Sequence, residues 1–165
     1  MSEPGTYLRS SINPDLSDNR SFADLYSYWL YKKNGRELAL RRDFDPLELK
    51  AHLGSLFIAE PIEDGRNFRY RLIGTGLTEV HGRDFTGKSV LDLLGSVDPD
   101  AGKSIVAAYR KVLRDKVALR AQGRVVWAGK EFISFDSLHL PLSSDGSRAD
   151  IVLGKLIFVN RADPP

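Results

Sequence analysis

Two long segments of the chain carry apolar side chains at the three- and four-residue intervals of an amphipathic helix. The apolar stripe of the first, residues 22–33, consists of Phe22, Leu25, Tyr26 and Trp29. The second segment follows Asp98 and Pro99, which suit the cap and first turn of a helix, and its stripe consists of Ile105, Ala108, Tyr109, Val112 and Leu113. Because an aromatic stripe needs an apolar surface to cover, we expect residues 22–33 to dock on the domain itself or on a second subunit.

Five segments have the length and composition of β-strands. They comprise residues 56–62, 67–73, 117–127, 131–142 and 151–159. The first two are joined by Glu63-Asp64-Gly65-Arg66, a sequence typical of a β-hairpin turn. The connectors between the last three are also short, which favours antiparallel pairing. We therefore predict an α+β fold with one five-stranded antiparallel sheet, helices on one face and an additional N-terminal helix.

Two further segments complete the domain organisation. Residues 1–20 are rich in Ser, Asn, Asp, Pro and Gly, and predict a flexible tail ahead of a domain over residues 21–162. Asp45 and Pro46 are typical of a helix start, and Gly54 of a helix end, so we expect a helix between them.

Composition restricts the classes of function. The 165 residues are 42% hydrophobic, as expected of one globular domain. The 24 basic residues nearly balance 22 acidic ones, and a net charge of +2 does not favour a nucleic-acid partner. Apolar stretches are too short to span a membrane and the N-terminus lacks a signal sequence, which predicts a cytoplasmic protein. The chain has no cysteine, which excludes disulfides, thiolate metal sites and cysteinyl flavin adducts.

Several inward-facing polar residues are candidates for a ligand pocket. Tyr70 and Leu72 alternate with arginines in a predicted strand, so both should face the core. Tyr109 lies on the core face of the long helix, and a buried phenol normally needs a hydrogen-bond partner. Phe135 and His139 share one face of the strand over 131–142, in which both faces mix polar and apolar residues. Such a strand either lines a cavity with one face or has part of one face exposed to solvent.

Residues 82–89 match the phosphate-binding pattern G-x-x-x-x-G-K-[ST], in which Lys88 and Ser89 would contact phosphate and magnesium. A phosphate loop follows a buried parallel strand, whereas the signals here are those of hairpins. Gly74-Thr-Gly76 resembles the start of a dinucleotide-binding motif but lacks the third glycine. A P-loop-type nucleotide-binding protein therefore stays as an alternative function.

The histidines are His52, His81 and His139. None has a second ligand at metal-binding spacing, so no metal site is predicted. His81 ends a predicted short helix over residues 75–81 and is expected to face solvent. An isolated His and Asp in a pocket would suit a small α+β cone enzyme of isomerase or dehydratase type, which is a second alternative.

The order of elements and several motifs resemble the PAS domain family. The run Phe68-Arg-Tyr-Arg-Leu-Ile-Gly-Thr75 followed by Gly82-Arg-Asp-Phe-Thr-Gly87 is similar to the "YRL-G-T … GRD-TG" signature of a bacterial single-domain PAS subfamily. Asp45-Pro46-Leu47-Glu48 and Leu140-Pro141-Leu142-Ser143 support the same resemblance, which covers roughly residues 22 to 160.

The resemblance implies a strand order of 2-1-5-4-3 and a sensory or protein-interaction module in bacterial signal transduction, with no enzymatic activity. It also implies a homodimer, for which the helix over 22–33 is suitably placed. No cofactor is predicted, although the sequence leaves haem and non-covalent flavin open. We expect a small-molecule ligand in the pocket and a separate effector protein that receives the signal, without nucleic-acid or membrane partners.

Overall fold

The computed structural model describes residues 7–82, 84–94, 98–126 and 132–159. The strands are β1 (Tyr7–Ile12), β2 (Ala39–Leu40), β3 (Leu56–Ile62), β4 (Asn67–Ile73), β5 (Leu119–Val126), β6 (Phe132–Ser143) and β7 (Ile151–Val159). The α-helices are α1 (Arg20–Lys33), α2 (Thr75–His81), α3 (Val90–Leu94) and α4 (Pro99–Asp115). The predicted strands and both long helices are present, with boundaries shifted by a few residues. The segment between β5 and β6 lies outside the described residues.

All described strands belong to one sheet with the order β1-β5-β6-β7-β3-β4. The path from β4 through β3, β7 and β6 to β5 has the implied order 2-1-5-4-3, and each pairing along it is antiparallel. The sheet is larger than the predicted five strands, because β1 extends it beyond β5 and the short β2 pairs with β6 in parallel. The α+β fold class is confirmed.

The sheet is covered on both faces, and each face has its own apolar core. On one face, α2, α3 and α4 enclose a core that includes Phe57, Tyr70 and Tyr109. On the other, Phe22, Leu25 and Trp29 of α1 pack against leucines of β6 and β7. The central strands are therefore buried on both sides.

Within the predicted flexible tail over residues 1–20, the described residues include a strand, Tyr7–Ile12. Residues Tyr7–Ile12 pair with residues 119–124 of β5, and the amide of Asn13 donates to the carbonyl of Ala118. This pairing satisfies the backbone groups of β5 that an edge strand would otherwise expose. Asn19 then caps α1 by accepting from the amide of Phe22 at 3.0 Å. The composition of the segment is typical of a tail, but backbone pairing does not depend on side-chain type.

The helix predicted between Asp45 and Gly54 is replaced by successive turns that end in a 3-10 turn over Leu53–Ser55. Within these turns, the carboxylate of Glu48 contacts α1. It accepts from the hydroxyl of Tyr28 at 3.2 Å and pairs with the ammonium of Lys32 at 3.0 Å. A helix of this length is marginal, so tertiary contacts of this kind decide the conformation.

Candidate ligand cavity

A cavity of about 50 Å³ lies between the sheet and helices α2 and α4. Its lining is mostly aliphatic and aromatic, with four side chains that carry a polar group. The lining residues are Phe57, Tyr70, Ile73, Leu77, Phe85, Ile105, Ala108, Tyr109, Ala121, Phe135, Ser137, His139, Leu156 and Phe158. Apolar walls with a few convergent polar groups are typical of small-molecule sites.

Four of the five predicted pocket residues line this cavity, namely Tyr70, Tyr109, Phe135 and His139. Leu72 does not, and its side chain is 38% exposed. The reason is a β-bulge: Ala59 pairs with Tyr70 but Ile58 pairs with Leu72, so Arg71 is an extra residue on β4. A bulge reverses the alternation of side chains, and Ile73 lines the cavity in place of Leu72.

The two tyrosines form a buried pair. Their hydroxyl groups lie 3.1 Å apart, although they come from different elements, β4 and α4. Burial raises the pKa of Tyr70 to about 12, and burial together with the neighbouring Tyr70 raises the pKa of Tyr109 well above 10. Both hydroxyl groups are therefore neutral at pH 7 and act as hydrogen-bonding groups rather than as bases.

His139 lines the cavity and carries a deeply buried ring nitrogen. The residue is 4% exposed, and its Nδ1 atom has no hydrogen-bond partner among the described residues. Burial lowers its pKa to about 4, opposed by the nearby backbone of Leu119, so the ring is neutral at pH 7. The ring centroids of Phe57 and Tyr109 lie 5.9 and 5.3 Å from that of His139 and fix its orientation. A buried polar atom without a partner is costly, which makes it a marker of function.

Phe57 and Gly154 are cavity determinants that sequence reasoning missed. The two residues are directly paired on β3 and β7, and Gly154 is also paired with His139. A Cβ atom on Gly154 would lie 2.0 to 2.6 Å from atoms of the Phe57 ring. The glycine therefore makes room for that ring beside His139. A glycine within a predicted strand was the available signal.

Strand β6 connects the cavity with the opposite face of the sheet. Its residues Phe135, Ser137 and His139 line the cavity. The intervening positions Leu138, Leu140 and Leu142 are fully buried in the core beneath α1. This arrangement explains why both faces of the strand mix polar and apolar residues, since neither face is exposed to solvent.

The polar residue on the α1 side of β6 is Asp136, which anchors the start of α1. Its carboxylate accepts from the guanidinium group of Arg120 on β5 at 2.6 and 3.0 Å. The same guanidinium group donates to Asp18 at 2.7 and 3.1 Å and lies 5.4 Å from the ring centroid of Phe22. The bonds to Asp136 and Asp18 raise the pKa of Arg120 and keep it charged.

Helix α1 docks on the sheet of its own chain. Phe22 and Leu25 are fully buried and Trp29 is 4% exposed, while Tyr26 is partly buried against the same core. The indole Nε1 of Trp29 donates to the carbonyl of Pro141 on β6 at 3.0 Å. Of the two surfaces that the sequence left open for the aromatic stripe, the structure therefore uses the one within the chain.

The segment that matches the phosphate-binding pattern has another geometry. It follows helix α2 rather than a strand, and the amides of Thr86, Gly87 and Lys88 all donate within the protein, to Asp84, Tyr70 and Phe85 respectively. The hydroxyl of Ser89 accepts from the amide of Asp92. These three amides are therefore not free to bind a phosphate. Residue 83 lies outside the described residues.

Gly74 and Gly76 serve packing rather than dinucleotide binding. A Cβ atom on Gly74 would lie 2.4 Å from the carbonyl oxygen of Leu53, and one on Gly76 would lie 2.8 Å from that of Gly54. The glycines permit the start of α2 to approach the 3-10 turn that precedes β3.

The other candidate groups do not converge on a catalytic site. Asp136 and His139 lie on opposite faces of β6, and no carboxylate belongs to the described lining of the cavity. His81, predicted to face solvent, is 7% exposed and packs on Phe85 with ring centroids 4.7 Å apart. Among the described residues, no cluster of three or more His, Asp or Glu side chains is arranged to hold a metal ion. None of the described helices has the length and apolar character of a membrane span.

A five-strand antiparallel core in the order 2-1-5-4-3, with helices over a cavity, agrees with a family match that spans most of the chain. The family model of the PAS domain matches residues 17–157. The chain belongs to the PAS domain family. No curated protein matches this PAS domain at a significant level.

A solved structure with a similar fold is that of an RNA-binding light-oxygen-voltage receptor. The two share 15% sequence identity and superpose with a TM-score of 0.55. The match covers 96% of this chain and 40% of the receptor chain, so this PAS domain spans less than half of that protein. At this identity the likeness concerns the fold alone.

The sequence left a non-covalent flavin open, and the described residues that line the cavity do not fit one. The cavity has a volume of about 50 Å³, whereas a cavity of about 150 Å³ holds benzene, which is smaller than a flavin ring system. Among the described residues, the lining contains no Asn or Gln side chain for the polar edge of a flavin ring. The same volume argues against haem. The cavity as it stands suits a much smaller guest.

Proposed function

We propose that this PAS domain is a sensory module in bacterial signal transduction, in which a small molecule in the cavity changes the packing of α1 and thereby the interaction with a separate effector protein. The observation that carries the proposal is that β6 lines the cavity with one face and supports α1 with the other. Fold and family support a sensor, while ligand and partner are parts of the proposal.

The coupling step is a shift of β6 relative to its two neighbouring layers. A guest that contacts His139 acts on the same strand that accepts the indole hydrogen bond of Trp29, two residues away at Pro141. Asp136 on that strand also connects through Arg120 to the residues just before α1. A ligand that binds one packing of β6 more tightly shifts the population of docked α1.

The surface available to a partner is the outer side of α1. Its aromatic stripe is buried, whereas Leu30 and Tyr31 are 44% and 75% exposed, and Leu47 in the following turns is 82% exposed. We propose that the effector, or a second copy in a homodimer, contacts α1 from this side. A change in how firmly α1 docks would then reach the partner directly.

The coupling can be tested without knowledge of the ligand, by filling the cavity with a side chain. Ala108 of α4 lines the cavity, while the adjacent Ala107 is exposed on the same helix, so Ala108→Leu and Ala107→Leu form a matched pair. We expect Ala108→Leu to change amide hydrogen exchange across residues 20–33 at least threefold, and Ala107→Leu to leave it unchanged. Equal exchange rates in both variants, with Ala108→Leu fully folded, would contradict the proposal.

A further inference from the structure

The chemistry of the cavity specifies the class of molecule that it can hold. We infer that the guest is an uncharged molecule smaller than benzene that carries a hydrogen-bond acceptor, of which a small primary amide is a simple example. This inference rests on the proposed function, since it takes the cavity as the sensory site.

The size of the guest follows from the volume. A cavity of roughly 150 Å³ holds benzene. The cavity here has about 50 Å³, so its guest is smaller than benzene. A larger planar ring would require Phe57 or Tyr109 to move, and these two rings pack against each other with centroids 5.9 Å apart.

The absence of charge follows from the lining. Among the described residues that surround the cavity, none is an acid, a lysine or an arginine, and His139 is neutral at pH 7. An ionised guest would leave water for apolar walls without a counter-ion, which costs several kcal/mol. A carboxylate or ammonium guest is therefore excluded at neutral pH.

The hydrogen-bonding groups follow from what the cavity leaves unsatisfied. Tyr70 and Tyr109 carry two hydroxyl protons, and their mutual hydrogen bond at 3.1 Å uses one of them. No other hydrogen bond to either hydroxyl is present among the described residues, so the second proton needs an acceptor. The carbonyl oxygen of a small amide supplies that acceptor without adding a charge.

Acetamide and acetate test this inference because they share the same four-heavy-atom skeleton and differ in charge. Binding at pH 7 is measured by titration of the protein with each compound, followed by NMR shifts of the methyl groups of Ala108, Ala121 and Leu77. We expect acetamide to bind at least tenfold more tightly than acetate. Equal affinities, or no shift of these methyl groups with acetamide, would overturn the inference.

Variants locate the binding groups. We expect the double variant Tyr70→Phe/Tyr109→Phe, which removes both hydroxyl protons and keeps both rings, to weaken acetamide binding at least threefold. Leu72→Ala, outside the cavity, should leave binding unchanged. Unaltered binding in the double phenylalanine variant, with its fold intact, would count against the inference. If acetamide does not bind but Ala108→Leu alters the hydrogen exchange of α1, the proposed guest class is overturned and the sensory coupling stands. If acetamide binds but the hydrogen exchange of α1 does not change, the sensory coupling is overturned and the guest class stands.

Discussion

Replacing His139 by leucine removes a titrating group whose neutral form the fold favours. Burial lowers the pKa of His139 to about 4, whereas an exposed histidine titrates near 6.5. Between these two values the unfolded chain binds a proton that the folded protein does not, so stability falls as the pH decreases. At about 1.4 kcal/mol per pH unit, the free energy of unfolding falls by about 3 kcal/mol across this interval. The decrease is complete near pH 4.

The assay is urea unfolding followed by tryptophan fluorescence at pH values from 7.5 to 4. Other titrating groups are common to both proteins, so the difference in unfolding free energy between wild type and His139→Leu isolates the histidine. We expect that difference to change by about 3 kcal/mol over this range, in favour of the variant at low pH. Parallel pH profiles of the two proteins would refute the assignment of His139 as a buried neutral group.

Three further substitutions test the packing around β6. Trp29→Ala should lower the free energy of unfolding by about 3–5 kcal/mol, because it removes a buried ring and its hydrogen bond to Pro141; a loss below 1 kcal/mol in urea unfolding would mean that α1 is not docked. Gly154→Ala should lower the free energy of unfolding by about 1–3 kcal/mol because the new Cβ atom overlaps with the ring of Phe57. Adding Phe57→Leu to this variant should restore part of the lost melting temperature. Arg120→Met should lower the free energy of unfolding by about 3 kcal/mol, because the carboxylate of Asp136, whose side chain is only 13% exposed, loses its cation. Its control is Arg120→Met combined with Asp136→Leu, and an equally unstable double variant would argue against an ion-pair effect.

The regular elements could be predicted from the sequence because their signals are local. Asp98 and Pro99 start α4 as predicted, and the side chain of Asp98 accepts from the amide of Ala101 at 3.3 Å. The hairpin of β3 and β4 follows from its turn sequence and from alternation. The inward orientation of Tyr70 and Tyr109 was equally local, since each lies on the apolar face of its own element.

The remaining features depend on contacts between distant parts of the chain. The bulge at Arg71 that moves Leu72 out of the cavity is a property of the pairing with β3, and alternation along β4 alone cannot reveal it. The mixed faces of β6 signalled a polar site, but whether each face meets solvent or another layer depends on α1 and α4. The pairing of β1 with β5 likewise involves backbone groups, which leave no pattern in the side chains.

The central claim is that the cavity and α1 are energetically coupled through β6, and a double-mutant cycle measures this coupling directly. The cycle combines Ala108→Leu on the cavity side with Trp29→Phe on the α1 side, and the free energy of unfolding is determined for all four proteins. Since sites without shared partners usually add within about 0.3–0.5 kcal/mol, coupling predicts a deviation from additivity above about 0.5 kcal/mol. Strict additivity of the two substitutions would contradict the claim.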